Sequence, residues 1–214
     1  MNNQIHKTLP GMPIVFLAAA VAMFSVAARA QTVIDEWATA KAPPPPQLKE
    51  VRIDPKKTAL LIIDYNKKSC TLAGRPRCAD ALPKVQKFLT EARAKGMLVI
   101  HIYNIIMTPA DLAVAPAPGE RVMQASLNKF YGNDLEKSLK DKGIDTVLIT
   151  GTSANGAVLF TVAGAAMTGF KVIVPVDGMP ADGVYQEQFV VWELANAPTV
   201  SGASTLTKWD MIKF

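Results

Sequence analysis

One stretch, VLITGTSANGAVLFTVAGAAMTGFKVIVPVDG (residues 147–178), constrains the fold of this chain more than any other. It begins and ends with continuous apolar, β-branched runs, which are typical of parallel strands buried on both faces. Between them lie a glycine-containing turn and a helix rich in alanine and glycine. Two parallel strands joined through a helix form a right-handed crossover, so the stretch predicts one unit of a parallel sheet.

The same alternation of strand and helix runs through the rest of the chain. Apolar runs predict further strands, and periodic apolar positions closed by glycine predict helices. Residues 105–128 contain several prolines and little periodicity, so a long and functional loop is expected there. The sequence therefore predicts an α/β, three-layer (Rossmann-like) sandwich with a central, mostly parallel sheet of about six strands. The remaining predicted strands are 58–66, 97–104 and 202–211, and the predicted helices are 82–96, 133–143, 157–169 and 185–196.

Residues 1–30 have the features of a signal peptide. Lys7 precedes a fifteen-residue apolar run, and Ala28-x-Ala30 forms a small-residue cleavage site. The alternative is a membrane anchor, but the run is short for a bilayer span of about 20 residues. We expect cleavage before Gln31, a periplasmic or secreted location, and no membrane association afterwards. Residues 31–57 are then a proline-rich extended arm, because APPPPQ cannot form a helix or a central strand, and 58–214 are the domain.

Composition excludes some partners and leaves the state of the cysteines open. The full chain has a net charge of +5, and its basic residues are scattered among acids rather than clustered, so nucleic acid is not an expected partner. The two cysteines, Cys70 and Cys78, lie in a short Gly/Pro-containing loop. An oxidising compartment favours a disulfide between them, and two free thiols or one reactive thiol are the alternatives.

Candidate site residues fall at the carboxyl ends of the predicted strands, where open α/β sheets bind ligands. Asp64 ends the first long strand, although a helix cap or loop anchor is its alternative role. His101 and Tyr103 lie at the end of the next strand, where His101 could equally be an ordinary hydrogen-bonded residue. A single histidine in the mature chain argues against a Ser/His/Asp triad and against a metal cluster. No dinucleotide fingerprint is present, so no cofactor and no metal are expected.

Four segments together resemble the isochorismatase-like hydrolase superfamily. They are TALLIIDYNKKSC, EARAKGMLVIH, KFYGNDLEKSLKDKGIDTVLITGTSANGAV and GFKVIVPVDG, and they contain the motifs F-x-G-x-x-L and G-x-x-x-N-x-x-V. The cysteine hydrolases of this superfamily use an Asp, a Lys and a nucleophilic Cys. The resemblance matches Asp64 to the Asp, places Gln124 at the Lys position and places Ala157 at the Cys position. Lys129, next to Phe130, is a candidate to supply a substitute charge, but lysines are mostly exposed, so a surface position is the favoured expectation for it.

The resemblance leaves two main functions as alternatives, and a purely structural role in an assembly is less favoured because Asp64 and the turn are retained. True isochorismatases also carry a small residue at the nucleophile position and are thought to use acid catalysis by the Asp. The first interpretation is an exported hydrolase that acts on a small polar metabolite by acid/base chemistry of Asp64, without a Cys nucleophile. The second is an inactive pseudoenzyme that binds a small anionic or carbonyl ligand. The metal-binding Asp-x-His of nicotinamidases is absent, because Asn66 occupies the histidine position.

The turn after the strand at 145–151 completes the predicted site. Relatives have a non-proline cis peptide bond here, which corresponds to Thr152–Ser153. The resemblance implies that the N–H groups of Ser153 and Ala157 face the ligand, and Asn155, in the same motif, is a further binding candidate together with Gln124, His101 and Tyr103. Relatives are often dimers or tetramers, and the helix at 157–169 is apolar all round, so a homo-oligomer is expected.

Overall fold

The computed structural model describes residues 32–67, 70–104 and 112–214. The predicted signal peptide, its cleavage site at Gln31 and part of the predicted functional loop lie outside these residues. The elements are β1 (Val51–Arg52), β2 (Thr58–Ile63), α1 (Pro76–Ala94), β3 (Leu98–Tyr103), β4 (Arg121–Gln124), α2 (Leu135–Asp141), β5 (Thr146–Gly151), α3 (Leu159–Met167), β6 (Lys171–Pro175), α4 (Val184–Asn196), α5 (Val200–Ala203), β7 (Ser204–Thr207) and β8 (Ile212–Lys213).

The main sheet has six strands in the order β4-β3-β2-β5-β6-β7, and every pair of neighbours is parallel. The central strands β2 and β5 are buried almost throughout, as their continuous apolar sequences predict. The α/β fold with about six parallel strands is therefore confirmed. Strands β1 and β8 form a separate parallel pair.

Strand β4 adds a short element to residues 105–128, which were predicted to be mostly loop. Its four residues, RVMQ, alternate between half-buried and exposed positions at the edge of the sheet. A short edge strand with one wet face carries no continuous apolar run, so the sequence pattern did not show it.

Helices cover both faces of the sheet and produce two apolar cores. On one face α1 packs through Leu82, Val85 and Phe88 in a cluster that also contains Leu60 and Ile62 of β2. On the other face the core takes residues from α2, α3 and α4 together with the alternate β2 residues. This is the predicted three-layer arrangement, and it follows from the alternation of side chains along a strand.

The chain divides into two compact units at Ala42 and Pro43. The described residues of the first unit form a turn over 33–39 with exposed side chains. Within the second unit, residues 43–50 contain no helix or strand, Leu48 packs against the core, and the Lys49 N–H donates to the Leu206 carbonyl oxygen at 2.9 Å. The end of the proline-rich segment is thus part of the domain. In the described part of the chain, no helix is long and apolar enough to cross a membrane.

Candidate active site

The candidate site lies where the order of the strands reverses. From β2 the chain proceeds to β3 and β4 on one side, and from β5 it proceeds to β6 and β7 on the other. The carboxyl ends of β2 and β5 therefore flank the switch point at which such folds bind ligands. The two strand ends approach closely, because the Thr152 N–H donates to the Ile63 carbonyl oxygen at 3.2 Å. A Cβ at Gly151 would overlap Ile63, which explains the glycine at this position.

Asp64, directly after β2, is buried and adopts an unusual backbone conformation. Its φ of +57° lies in the left-handed region, where few residues other than glycine are found. Such conformations cluster at functional sites. Oδ1 accepts a hydrogen bond from the Asn104 backbone N–H at 2.6 Å, and Oδ2 lies 2.7 Å from Nζ of Lys129. Burial raises the pKa of Asp64, while Lys129 and the Asn104 N–H act in the opposite direction.

Lys129 is fully buried, so the prediction of a surface position was wrong. Its ammonium group forms an ion pair with Asp64, and no second partner of Nζ is found in the described residues. A buried lysine is costly unless it is paired. Among the described residues, Asp64 is thus the partner of one of the three donor positions of this ammonium group.

The loop before α2 holds Lys129 in this inward position through its backbone. The Lys129 N–H donates to Thr161 Oγ1 of α3 at 3.3 Å, and Asn133 Nδ2 donates to the Lys129 carbonyl oxygen at 3.0 Å. Asn128 Oδ1 accepts from the Phe130 N–H at 2.9 Å. The Asn128 side chain occupies the space that a Cβ at Gly164 would need, so the small residue in α3 admits the loop.

Gln124 does not replace Lys129 as a partner of Asp64. It is the last residue of β4, its side chain is exposed, and its backbone is in register with Tyr103 of β3. The positive charge beside Asp64 therefore comes from a position five residues further along the chain than the resemblance implied.

The turn after β5 forms one side of the candidate site. The Thr152–Ser153 peptide bond is cis, as predicted. One turn of π-helix follows over Ala154–Val158 and leads directly into α3. Ala157 is buried, Ser153 is half-buried and the Asn155 side chain is exposed. The Ser153 N–H makes no hydrogen bond with any residue that the structure describes.

Both cysteines are used in a disulfide. Cys70 and Cys78 are bonded with their Cα atoms 4.9 Å apart, which confirms the predicted pairing. Since these are the two cysteines of the whole sequence, the chain contains no free thiol. A thiolate nucleophile is therefore absent from the site, and Cys70 cannot supply one while it is bonded.

His101 lies in a separate polar cluster. Its Nε2 is 2.9 Å from Oε2 of Glu120, which also accepts from Arg93 and from the Ala117 N–H. Burial acts to raise the pKa of Glu120, but these hydrogen bonds outweigh it and lower the pKa to about 2. Burial lowers the pKa of His101, and Glu120 opposes this. The structure thus agrees with the alternative of a hydrogen-bonded strand residue, which helps to hold the loop before β4. Tyr103 is buried at the end of the same strand.

The described residues contain no group of three or more His, Cys, Asp or Glu side chains placed to hold a metal ion. Sequence analysis missed Glu120, and it named Lys129 as a substitute charge but favoured a surface position for it. Neither belongs to an apolar period or a strand end, so only their tertiary partners reveal them. The one local signal for Lys129 is its position next to Phe130, the first residue of the F-x-G-x-x-L motif.

The sequence model of the isochorismatase domain family matches residues 58–205 of this chain. The chain belongs to the isochorismatase family. The matched range includes both strand ends, the loop of Lys129 and the turn after β5. Membership of this family agrees with the parallel six-stranded sheet.

Relatives within the isochorismatase family include named amidases. N-carbamoylsarcosine amidase of Arthrobacter sp is 31% identical over 130 residues, which cover 47% of this chain and 49% of that protein. The isochorismatase family protein YecD of Escherichia coli O157:H7 is 26% identical over 165 residues, which cover 64% of this chain and 86% of YecD. A cysteine hydrolase from Pseudomonas syringae pv. phaseolicola 1448A has the same fold, with a TM-score of 0.68, 20% identity and coverage of 77% of this chain and 94% of its own.

Proposed function

We propose that this chain is an exported hydrolase that cleaves a small polar metabolite with Asp64 as its acid/base and without a cysteine nucleophile. The observation that carries the proposal is the buried Asp64–Lys129 ion pair at the switch point of the sheet. The chain also has no free thiol that could act as nucleophile. A buried ion pair is not needed for stability, since apolar residues often serve as well. A buried charged pair at the ligand-binding edge of the sheet is therefore better explained by chemistry.

In the proposed reaction, water takes the place of the thiolate. Asp64 accepts a proton from water, the water oxygen forms a bond to the substrate carbon, and the same proton passes to the leaving nitrogen or oxygen as its bond to carbon breaks. Lys129 holds the carboxylate in position and offers a positive charge to the substrate. The Ser153 N–H, which has no partner among the described residues, provides a donor for a developing oxyanion or for a ligand carboxylate.

The family relationship supports a small amide or related compound as substrate. Two relatives are named as an N-carbamoylsarcosine amidase and a maleamate amidohydrolase. Both act on small molecules, and this chain shares their domain but has Ala157 at the position that the resemblance assigns to the nucleophile. Export is supported by the leader at residues 1–30, and the disulfide suits an oxidising compartment.

The test is a turnover screen of the mature protein against amides, ureides and enol ethers. Asp64→Asn and Lys129→Met should each lower turnover about 100-fold or more, the usual contribution of a positioned acid/base. Lys137→Met is the matched control, because Lys137 pairs with Asp141 on the exposed face of α2. Iodoacetamide should leave turnover unchanged in non-reduced protein, and no covalent adduct should be found by mass spectrometry.

A silent binding protein would give a different result in the same experiment. It would retain a ligand with none of the three compound classes turned over, and Asp64→Asn would change affinity alone. Turnover that is lost on alkylation, or that survives Asp64→Asn, would contradict the proposed mechanism.

A further inference from the structure

A loop closed by the disulfide connects the two halves of the candidate site. The disulfide loop (residues 70–78) begins where the Cys70 N–H donates to the Asn66 carbonyl oxygen at 3.1 Å, two residues after Asp64. It ends at the first residues of α1. Its own backbone is tied by hydrogen bonds from the Arg75 N–H to the Thr71 carbonyl oxygen at 2.9 Å and from the Cys78 N–H to the Arg75 carbonyl oxygen at 3.0 Å.

Arg75 extends from this loop to the other half of the site. Its Nη1 donates to Thr152 Oγ1 at 2.6 Å, and its Nε donates to Oδ1 of Asp182 at 2.6 Å. The Asp182 contact is exposed to solvent and therefore weak. Thr152 is buried, so the contact with its hydroxyl group is the one that the protein shields from water.

From Thr152 the contact continues into the backbone of the turn. The Thr152 hydroxyl donates to the Pro180 carbonyl oxygen at 3.1 Å, and the Ala154 N–H donates to the same oxygen at 3.2 Å. Arg75 thus adds a charged donor to a chain of hydrogen bonds that runs through the Thr152 hydroxyl and the Pro180 carbonyl oxygen to the Ala154 N–H, on both sides of Ser153. Hydrogen bonds that involve a charged group contribute more than neutral ones and polarise their neighbours.

We propose that Arg75 is a positioning residue. The disulfide loop holds its guanidinium group against Thr152, and this contact keeps the turn over 152–158 in its observed conformation at the site. Reduction of the Cys70–Cys78 bond then loosens a turn that neither cysteine belongs to. The inference rests on the proposed function only in treating this turn as part of the active site, because its test measures the stability of the turn itself.

Hydrogen exchange of the turn, read by mass spectrometry in the full mature protein, provides that test. The reporters are the amides of Ala154, Gly156 and Val158, each of which donates to a backbone oxygen at 3.1–3.3 Å. Arg75→Gln and Thr152→Val should each speed their exchange tenfold or more, as loss of a charge-assisted hydrogen bond predicts. Thr152→Ser keeps the hydroxyl group and should restore slow exchange.

Two controls separate positioning from a general loss of stability. Arg121 pairs with the exposed Asp134 and makes no hydrogen bond with Thr152, Pro180 or Asp182 among the described residues, so Arg121→Gln should leave the reporters unchanged. The amides of β2 should exchange at the wild-type rate in every variant. Faster exchange in β2 to the same degree as in the turn would overturn the proposal.

The role of the disulfide is tested by combining variants. Cys70→Ser/Cys78→Ser should speed the reporters as Arg75→Gln does, and Arg75→Gln should add little in that background, since both changes remove one interaction. Fully additive effects, or no effect of Arg75→Gln alone, would overturn the proposal. If the variant without cysteines does not fold, mild reduction of the wild type gives the same comparison. A loosened turn in a protein without turnover would count against the hydrolase and not against Arg75.

Discussion

Removal of Lys129 should destabilise the protein by an amount that depends strongly on pH. In Lys129→Met, Asp64 stays buried without the cation that lies 2.7 Å from it. Breaking a buried ion pair by removing one partner costs about 3–5 kcal/mol. The carboxyl group can limit this cost by taking up a proton. At pH 7 protonation of a carboxyl with an ordinary pKa of about 3.9 costs about 4 kcal/mol, so we expect a loss of about 3–4 kcal/mol.

The direction of the pH dependence follows from the pKa of Asp64. Burial already raises this pKa, and loss of Lys129 removes a contribution that lowers it, so the folded-state pKa rises further in the variant. Between the unfolded and folded values, the folded protein holds a proton that the unfolded chain has released. Stability therefore falls as pH rises through that interval. At pH 4.5 the same arithmetic leaves a loss of under about 1 kcal/mol.

Urea unfolding at pH 4.5 and pH 7.5, followed by tryptophan fluorescence, measures both values. For a domain of this size the loss at pH 7.5 corresponds to a fall in Tm on the order of 10 °C. The double variant Asp64→Asn/Lys129→Met should recover to within about 1 kcal/mol of the wild type, because it removes both charges. Lys137→Met, on an exposed pair, should change stability by less than about 0.5 kcal/mol.

The reasoning would be refuted by a loss for Lys129→Met that is equal at the two pH values. It would also fail if the double variant were as unstable as the single one. Either result would mean that Lys129 contributes through the packing of its aliphatic chain and not through its charge on Asp64.

Three further predictions concern other parts of the chain. Glu120→Gln should lower the free energy of unfolding by about 1–3 kcal/mol at pH 7. The loss should shrink as pH falls below about 4.5 toward the folded pKa of about 2, because a lowered carboxyl pKa stabilises the folded state above the unfolded pKa. Urea unfolding at several pH values measures this trend. Gly164→Ala should cost about 1–3 kcal/mol because the added methyl overlaps Asn128, whereas Gly202→Ala has open space and should be neutral or stabilising, which thermal unfolding compares directly. N-terminal sequencing of secreted or periplasmic material should give Gln31, and Met1 on that material would contradict export.

Several features of this protein are determined by the sequence alone. Continuous apolar runs specify buried parallel strands, and their alternation with helical periods specifies the layers, because burial on both faces leaves no other arrangement. The order of these elements also places Asp64 and the turn after β5 together at the carboxyl ends of the central strands. The short separation of Cys70 and Cys78 also keeps the two residues within reach of each other, but the sequence left free thiols as an alternative, and the bond itself is shown by the structure.

The tertiary structure alone decided which groups act on Asp64. Lys129 and Gln124 are both polar residues near one motif, and no period or composition distinguishes the buried side chain from the exposed one. Lys129 is the buried one because Thr161 of α3 accepts its backbone N–H and because the space beside Gly164 of α3 admits the Asn128 side chain. Both contacts come from a helix that is distant in sequence. The partner of His101 depends in the same way on a distant loop. Local patterns determine where the backbone goes, but the partner of a buried charge is set by contacts between segments that are far apart in sequence.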